Sequence, residues 1–192
     1  FSPNATGPEP EPGPGELPPQ VDERQMSLFG AGWTTGSLKS LAESDVQSLT
    51  YYETTGWRGV METEAGSPVP DKFRSLPGSV FPLYHVLADV GEFAGGAVIP
   101  TISSHRLRVE GLALGQNGHT RVLLANLSAE SQRVTVRNLA EQVRVRYLDE
   151  STAETAMLSP EEFRRQADEL QQTTDGTLHL KLLPYAVARI DD

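Results

Sequence analysis

The densest concentration of chemistry-bearing side chains is YYETTGWRG at residues 51–59. It sets a carboxylate, Glu53, beside the phenol of Tyr52, the indole of Trp57 and the guanidinium of Arg58. A carboxylate at the carboxyl end of a barrel strand points into the mouth where such barrels do chemistry. Trp57 could stack on a sugar face, Arg58 could orient an anionic group, and Glu53 could move a proton. A plainer account fits the same residues: an Arg–Glu pair and a packed Trp that only fix a loop. One carboxylate is not a mechanism, because glycoside cleavage uses two that flank the scissile bond.

The remaining reactive residue types form no competing constellation. His85, His105, His119 and His179 are scattered without ligand spacing, so no metal is expected. His85 falls within a helical pattern and could face a barrel interior. His179 alternates with Leu178 and Leu180 and should face solvent. Ser27, Ser79 and Ser104 lack a nucleophile-elbow context. Glu62, Glu64 and Asp71 could take calcium, but acids in loops are usually solvated. Asn4-Ala-Thr6 and Asn126-Leu-Ser128 match the glycosylation sequon, a pattern common by chance. The chain holds no cysteine, which removes disulfides, thiolate zinc sites and thiol nucleophiles. No residue pattern calls for a cofactor.

The elements that would position Glu53 can be read from periodicity. Residues 1–20 hold seven of the fourteen prolines and read as a Pro-rich loop or linker. Asp22 and Gln25 stand at capping-box spacing, and Met26, Phe29, Trp33, Leu38 and Leu41 follow at helical intervals, predicting a helix over 23–44. The β-branched and aromatic residues of 48–53 predict a strand. Residues 54–78 read as a long loop, and a second helix is expected over 79–91. Helix, strand, loop and helix in that order fit parallel βα units, so residues 21–98 read as the last units of a barrel.

Beyond Gly96 the pattern becomes β-rich. Strands are expected at 107–114, 120–126, 132–137 and 143–147, with an Asn117-Gly118 hairpin turn between the first two. The alternation of Val143 and Val145 with Arg144 and Arg146 predicts a sheet with one wet face. Ser159-Pro160-Glu161-Glu162 opens a helix expected to reach about Leu170. Asp175-Gly176 turns into a strand of alternating leucines, and residues 185–190 close an antiparallel β-sandwich over 99–192 with one short helix. The fold class is thus α/β plus all-β: the C-terminal βα units of a (β/α)8 barrel followed by a β-sandwich.

A formal net charge of −10 leaves no basic face for phosphate, which argues against nucleic acid as a partner. No apolar run approaches bilayer length, which argues against a membrane. The chain opens on Phe1 without an initiator Met or a signal region, as a fragment, a processed product or an excised piece would. A lone strand between two helices has nothing to bond with, so a fragment is expected, with the missing N-terminal part of the barrel as its partner.

The stretches FSPNATG, RQMSLFGAGWTTGSLKSLAES, SLTYYETTGWRGVMETEAG and SLPGSVFPLYHVLADVGEF are similar to the C-terminal part of bacterial D-apionate lactonases. YYETTGWRG and FPLYHVLADVGEF are the most specific segments. The resemblance spans about residues 1–96 and extends more loosely over the sandwich. It implies kinship with clan-A retaining glycosidases, with residues 22–44 as the seventh barrel helix, 48–53 as the eighth strand and 79–91 as the eighth helix. Where those glycosidases carry a nucleophilic Glu after the seventh strand, this chain shows Phe1, Ser2, Pro3 and Asn4. That departure suits addition of water to a lactone carbonyl.

The implied reaction is D-apionolactone plus water to D-apionate in the bacterial cytoplasm. Glu53 would act as general base, Arg58 or Tyr52 would steady the oxyanion, and Asn4, Tyr52, Trp57 and Arg58 would bind the sugar-acid lactone. Two other functions compete. One is a glycoside hydrolase relative acting on a uronic-acid or pentose glycoside. The other is a non-catalytic binding or accessory sandwich, disfavoured because residues 99–192 offer only Tyr147, Phe163 and Tyr185 as aromatics.

Overall fold

The structure is a computed structural model and describes residues 12–44 and 46–192. Its first helix, α1 (Leu28–Ala42), begins later than the periodicity predicts, with Ser27 as an extended N-cap residue. The two side chains of the expected capping box are engaged elsewhere. Asp22 accepts the Arg24 backbone N–H at 2.9 Å and pairs with the Arg24 guanidinium at 2.7 Å. Gln25 Nε2 donates to the Gly59 carbonyl at 2.6 Å. Turns therefore fill residues 23–26.

The buried face of α1 is built from small residues, Gly30, Ala31, Gly32, Thr34 and Thr35, with Leu38 and Lys39. Gly32 faces residues 125–127: a Cβ there would lie 3.4 Å from Leu127 Cδ2 and 3.5 Å from the Asn126 carbonyl. Trp33, expected on the packed face, is instead 51% exposed.

Residues 48–53 do not form the expected strand. They lack ladder pairing among the described residues, and β-branched composition favours extended backbone without supplying a neighbour to bond. The long loop that follows carries a parallel bridge between Thr55 and Met61 and an antiparallel one between Met61 and Val80. Val80 and Phe81 are thereby drawn into the loop. Their N–H groups donate to Met157 at 3.1 Å and Val60 at 2.8 Å. The second helix, α2 (Pro82–Gly91), accordingly starts at Pro82, where no N–H is needed.

The rest of the chain comprises β1 (Ala97–Ile99), β2 (Val109–Gln116), β3 (His119–Asn126), β4 (Gln132–Val136), β5 (Gln142–Leu148), α3 (Ala153–Leu158), α4 (Pro160–Arg165), β6 (Glu169–Gln172), β7 (Leu178–Leu182) and β8 (Val187–Asp191). A six-stranded sheet runs β1-β2-β3-β8-β5-β6, and β4 pairs with β7 in a second sheet; all pairings are antiparallel. Asn117 and Gly118 both take positive φ, 52° and 83°, and close the expected β2–β3 hairpin. Leu107, expected in a strand, precedes β2 and is 92% exposed.

The six-stranded sheet is covered on both faces. Ala113, Val122, Leu124, Val143, Val145, Ala188 and Ile190 meet Leu178, Leu180 and Leu182 of β7 in the sandwich core. On the other face, Leu112, Leu114, Leu123, Ala125 and Val187 pack with Ala31, Leu38, Phe81, Leu83 and Val86. The expected wet face is therefore dry over much of its area. Arg144 is exposed, but Arg146, two residues on, is covered. The expected helix from Ser159 is also broken. Gln166 turns extended, with ψ of 142°, and residues 169–172 leave to pair with β5.

An ionic network ties α2 to the sandwich. Asp89 sits 2.9 Å from Arg164 and 3.2 Å from Arg189, while Glu92 lies 2.6 Å from Arg121. Arg121 also reaches Asp191 at 2.6 Å, and Arg146 reaches Asp168 at 2.6 Å. Burial alone would raise the Glu92 pKa; the hydrogen bonds from Arg121 and Arg164 outweigh it and hold the carboxyl below its ordinary value.

Candidate functional site

The backbone of residues 53–60 closes on itself before any side chain is considered. Glu53 N–H donates to Arg58 O at 2.9 Å, Gly59 N–H to Gly56 O at 2.7 Å, and Val60 N–H to Thr54 O at 3.1 Å. Gly56 takes a φ of 85°, and a Cβ on Gly59 would fall 2.6 Å from Thr55 N. Only glycine lets the loop pinch this tightly. Pinching brings Glu53 and Arg58 side by side, with Arg58 Nη2 2.7 Å from Glu53 Oε1. Both side chains stay open to solvent, at 57% and 45% exposure. A carboxylate beside a guanidinium, both accessible, can take a proton and offer donors to an anion at one place.

Helix α1 holds the neighbouring tyrosines. Thr34 Oγ1 donates to Gly30 O at 2.7 Å, so it accepts from the Tyr52 hydroxyl at 2.8 Å. Burial pushes the Tyr52 phenol above its ordinary value, against the smaller lowering by the Thr34 hydrogen bond. Tyr51 meets Ser37 at 2.7 Å, and the two tyrosine rings tilt together at 5.6 Å. With Gln25 bonded to Gly59, three residues of the α1 region grip the loop from one side. Gln25, Thr34 and Ser37 are the contributors that sequence reasoning missed. Small polar side chains inside a helical pattern carry no periodic signal, and the spacing of Gln25 from Asp22 suggests a cap instead.

The other expected residues separate. Trp57 is half-buried and packs at the margin of the helix-side core. Asn4 and the first sequon lie outside the described residues. Asn126 of the second sequon is buried, donating to the carbonyls of Glu130 and Leu183. Glu62, expected in solvent, is buried and accepts from Thr63 N–H at 2.8 Å and from Ser75. His179 is exposed as expected and meets Thr135 at 3.1 Å. His85 faces the sandwich instead of a barrel interior, with its ring against Phe163. Among the described residues, no group of three or more His, Asp or Glu is placed to hold a metal ion. No helix among them is long and apolar enough to cross a membrane.

Solved structures share the arrangement of helices and sandwich. A GH30 endoxylanase from Clostridium papyrosolvens superposes with a TM-score of 0.60 at 11% identity, over 90% of this chain and 40% of that one. A GH39 β-xylosidase from Caulobacter crescentus gives 0.54 at 14% identity, over 92% and 42%. A GH30 subfamily 8 xylanase from Clostridium acetobutylicum gives 0.57 at 8% identity, over 88% and 39%. At such identities the likeness concerns the fold, and the chain spans about two fifths of these proteins. The expected fold class, barrel end followed by antiparallel sandwich, is thereby borne out. No curated protein matches the chain in sequence. Residues 1–95 match the family profile "D-apionate lactonase, TIM barrel domain", and residues 106–190 match "D-apionate lactonase, C-terminal immunoglobulin-like domain". The chain belongs to the D-apionate lactonase family.

Proposed function

We propose that this chain forms one wall of the active site of a hydrolase that opens a sugar-acid lactone, D-apionolactone to D-apionate. The observation that carries the reading is the accessible Glu53–Arg58 pair, 2.7 Å apart on a loop fastened by its own backbone. In this reading the Glu53 carboxylate takes a proton from water as the water oxygen attacks the ester carbonyl. The guanidinium of Arg58 faces the developing oxyanion. The ring C–O bond then breaks, and the proton passes to the departing alkoxide, giving the open hydroxy acid. The Tyr52 O–H is already donated to Thr34, so the reading gives Tyr52 a holding role and leaves the oxyanion to Arg58. Trp57, set beside Arg58 and part-exposed, would border the sugar.

The rest of the site would come from other barrel strands, whose partner surface includes residues 48–53, without ladder pairing among the described residues, and the exposed Leu49. The test uses the full-length protein on D-apionolactone and on aryl glycosides. Glu53→Gln should lower lactone hydrolysis by about 10²–10⁴-fold. Full lactone activity in that variant would remove Glu53 from the mechanism. Cleavage of aryl glycosides with no action on the lactone would favour a glycosidase instead.

A further inference from the structure

The His85 ring is 1% exposed, and its Nε2 lies 2.8 Å from the Ala156 carbonyl of α3. A carbonyl only accepts, so Nε2 carries the proton, and Nδ1 is left buried without a partner among the described residues. Phe163 of α4 meets the ring edge-on at 4.7 Å, and Tyr84 does so at 5.2 Å. For filling that slot alone, a phenyl ring would serve without burying a bare nitrogen. The hydrogen bond to Ala156 is what the imidazole adds.

The next residue along α3 connects that bond to the loop described above. Met157 O accepts the Val80 N–H at 3.1 Å. Val80 bridges Met61, and Met61 O accepts the Gly56 N–H at 2.8 Å. Phe81, the neighbour of Val80, donates to Val60 O at 2.8 Å, and Val60 donates to Thr54 O. Consecutive residues of α3, of the segment before α2 and of the Glu53 loop thus bond in series. The sandwich half, through α3, reaches the backbone turn that sets Glu53 beside Arg58.

We propose that His85 is a positioning residue: by fixing α3 against α2, it holds the Glu53–Arg58 loop in register, an inference whose catalytic part rests on the lactonase reading above. The test compares His85→Phe, which keeps the ring contact and deletes the donor, with His85→Gln, which restores an amide donor. Amide hydrogen exchange is followed at Gly56, Val60, Val80 and Phe81 in the full-length protein, alongside lactone hydrolysis. His85→Phe should speed exchange at these amides by about tenfold relative to the rest of the chain. It should also lower kcat by about tenfold with KM within about twofold, because the loop's register and not ground-state binding is disturbed. His85→Gln should return both quantities toward wild type.

Unchanged exchange at Gly56 and Val60 in His85→Phe, whatever its melting temperature, overturns the proposal and leaves His85 as packing. The exchange measurement needs no substrate, so it stands even where Glu53→Gln shows the lactonase reading to be wrong. Should His85→Phe fail to fold, Phe163→Leu loosens the same ring. It should then speed exchange at the same four amides by about threefold, and no change there overturns the proposal equally.

Discussion

Arg146 and Arg189 stand directly opposite one another on β5 and β8, a like-charged pair in register on a covered sheet face. Such a pair is destabilising unless an anion lies between its members. Asp168 fills that place, with Oδ1 2.6 Å from Arg146 Nε and Oδ2 against Arg189 Nη2. Burial is the largest influence lowering the Arg146 pKa, and the charge of Arg189 adds to it. Removing the carboxylate strips the enclosed Arg146 of its anion, while Arg189 keeps Asp89 at 3.2 Å and Asp191 at 3.0 Å. Asp168→Asn should therefore cost about 3 kcal/mol, measured by urea denaturation, whereas Glu161→Gln at the exposed Arg165 pair should cost less than about 0.5 kcal/mol.

Legibility in the sequence followed the range of the interactions. The Asn117-Gly118 hairpin and the outward His179 depend on residues a few positions apart, and both stand where periodicity put them. Arg146 departs from the expected wet face because its cover is α4 and Asp168, folded back onto β5 from later in the chain. No two-residue alternation reports a partner layer of that kind. The strand expected at 48–53 is absent, because no strand among the described residues runs beside it to form a ladder. Glu53, Arg58 and Gly59 were legible as a cluster, since they lie within one short loop. Their anchors Thr34, Gln25 and Val80 were not, because each acts across a gap in sequence that carries no pattern.

Gly59 and Gly36 should respond to alanine in opposite ways. At Gly59 the new Cβ would meet backbone, Thr55 N at 2.6 Å and Thr54 O at 2.7 Å, and backbone there is held by two hydrogen bonds. Gly59→Ala should open the loop, lower stability by about 1–3 kcal/mol and remove most lactone hydrolysis. At Gly36, within α1, the Cβ would find ordinary contact with Leu127 at 3.8 Å and Glu110 at 3.9 Å. Gly36→Ala should stabilise by about 0.5–1 kcal/mol through reduced freedom of the unfolded chain. Chemical denaturation of both variants, with activity measured in parallel, checks the pair.

The Tyr52–Thr34 contact predicts a measurable coupling. Tyr52→Phe deletes a donor that is half-buried and satisfied, so it should cost about 1 kcal/mol. Thr34→Val deletes the acceptor and also the bond from Oγ1 to Gly30 O, so its cost should be similar or somewhat larger. The double variant should fall short of the sum by about 0.5–1 kcal/mol, the signature of a direct bond. Additive costs would show that the two hydroxyls act independently. In either single variant lactone hydrolysis should fall far less than in Glu53→Gln, since the proposed proton acceptor is retained.

The pH dependence of folding should carry a histidine signature. Burial is the main reason the His85 pKa lies below its ordinary value of 6.5; Arg164 and Arg146 push the same way, opposed by the Ala156 hydrogen bond and by Asp89. The unfolded chain therefore binds a proton at this side chain at a higher pH than the folded chain does. Stability rises with pH wherever the unfolded state holds more protons, so this contribution is complete above about pH 6.5 and is lost as pH falls below it toward the folded value. Glu92, whose pKa is also lowered, loses its contribution only as pH falls below its own ordinary value of 4.5, a separate window. Denaturation curves between about pH 7 and pH 5 should show a decline in wild type that is shallower in His85→Phe. Equal slopes in the two proteins would mean that His85 titrates alike in the folded and unfolded chain.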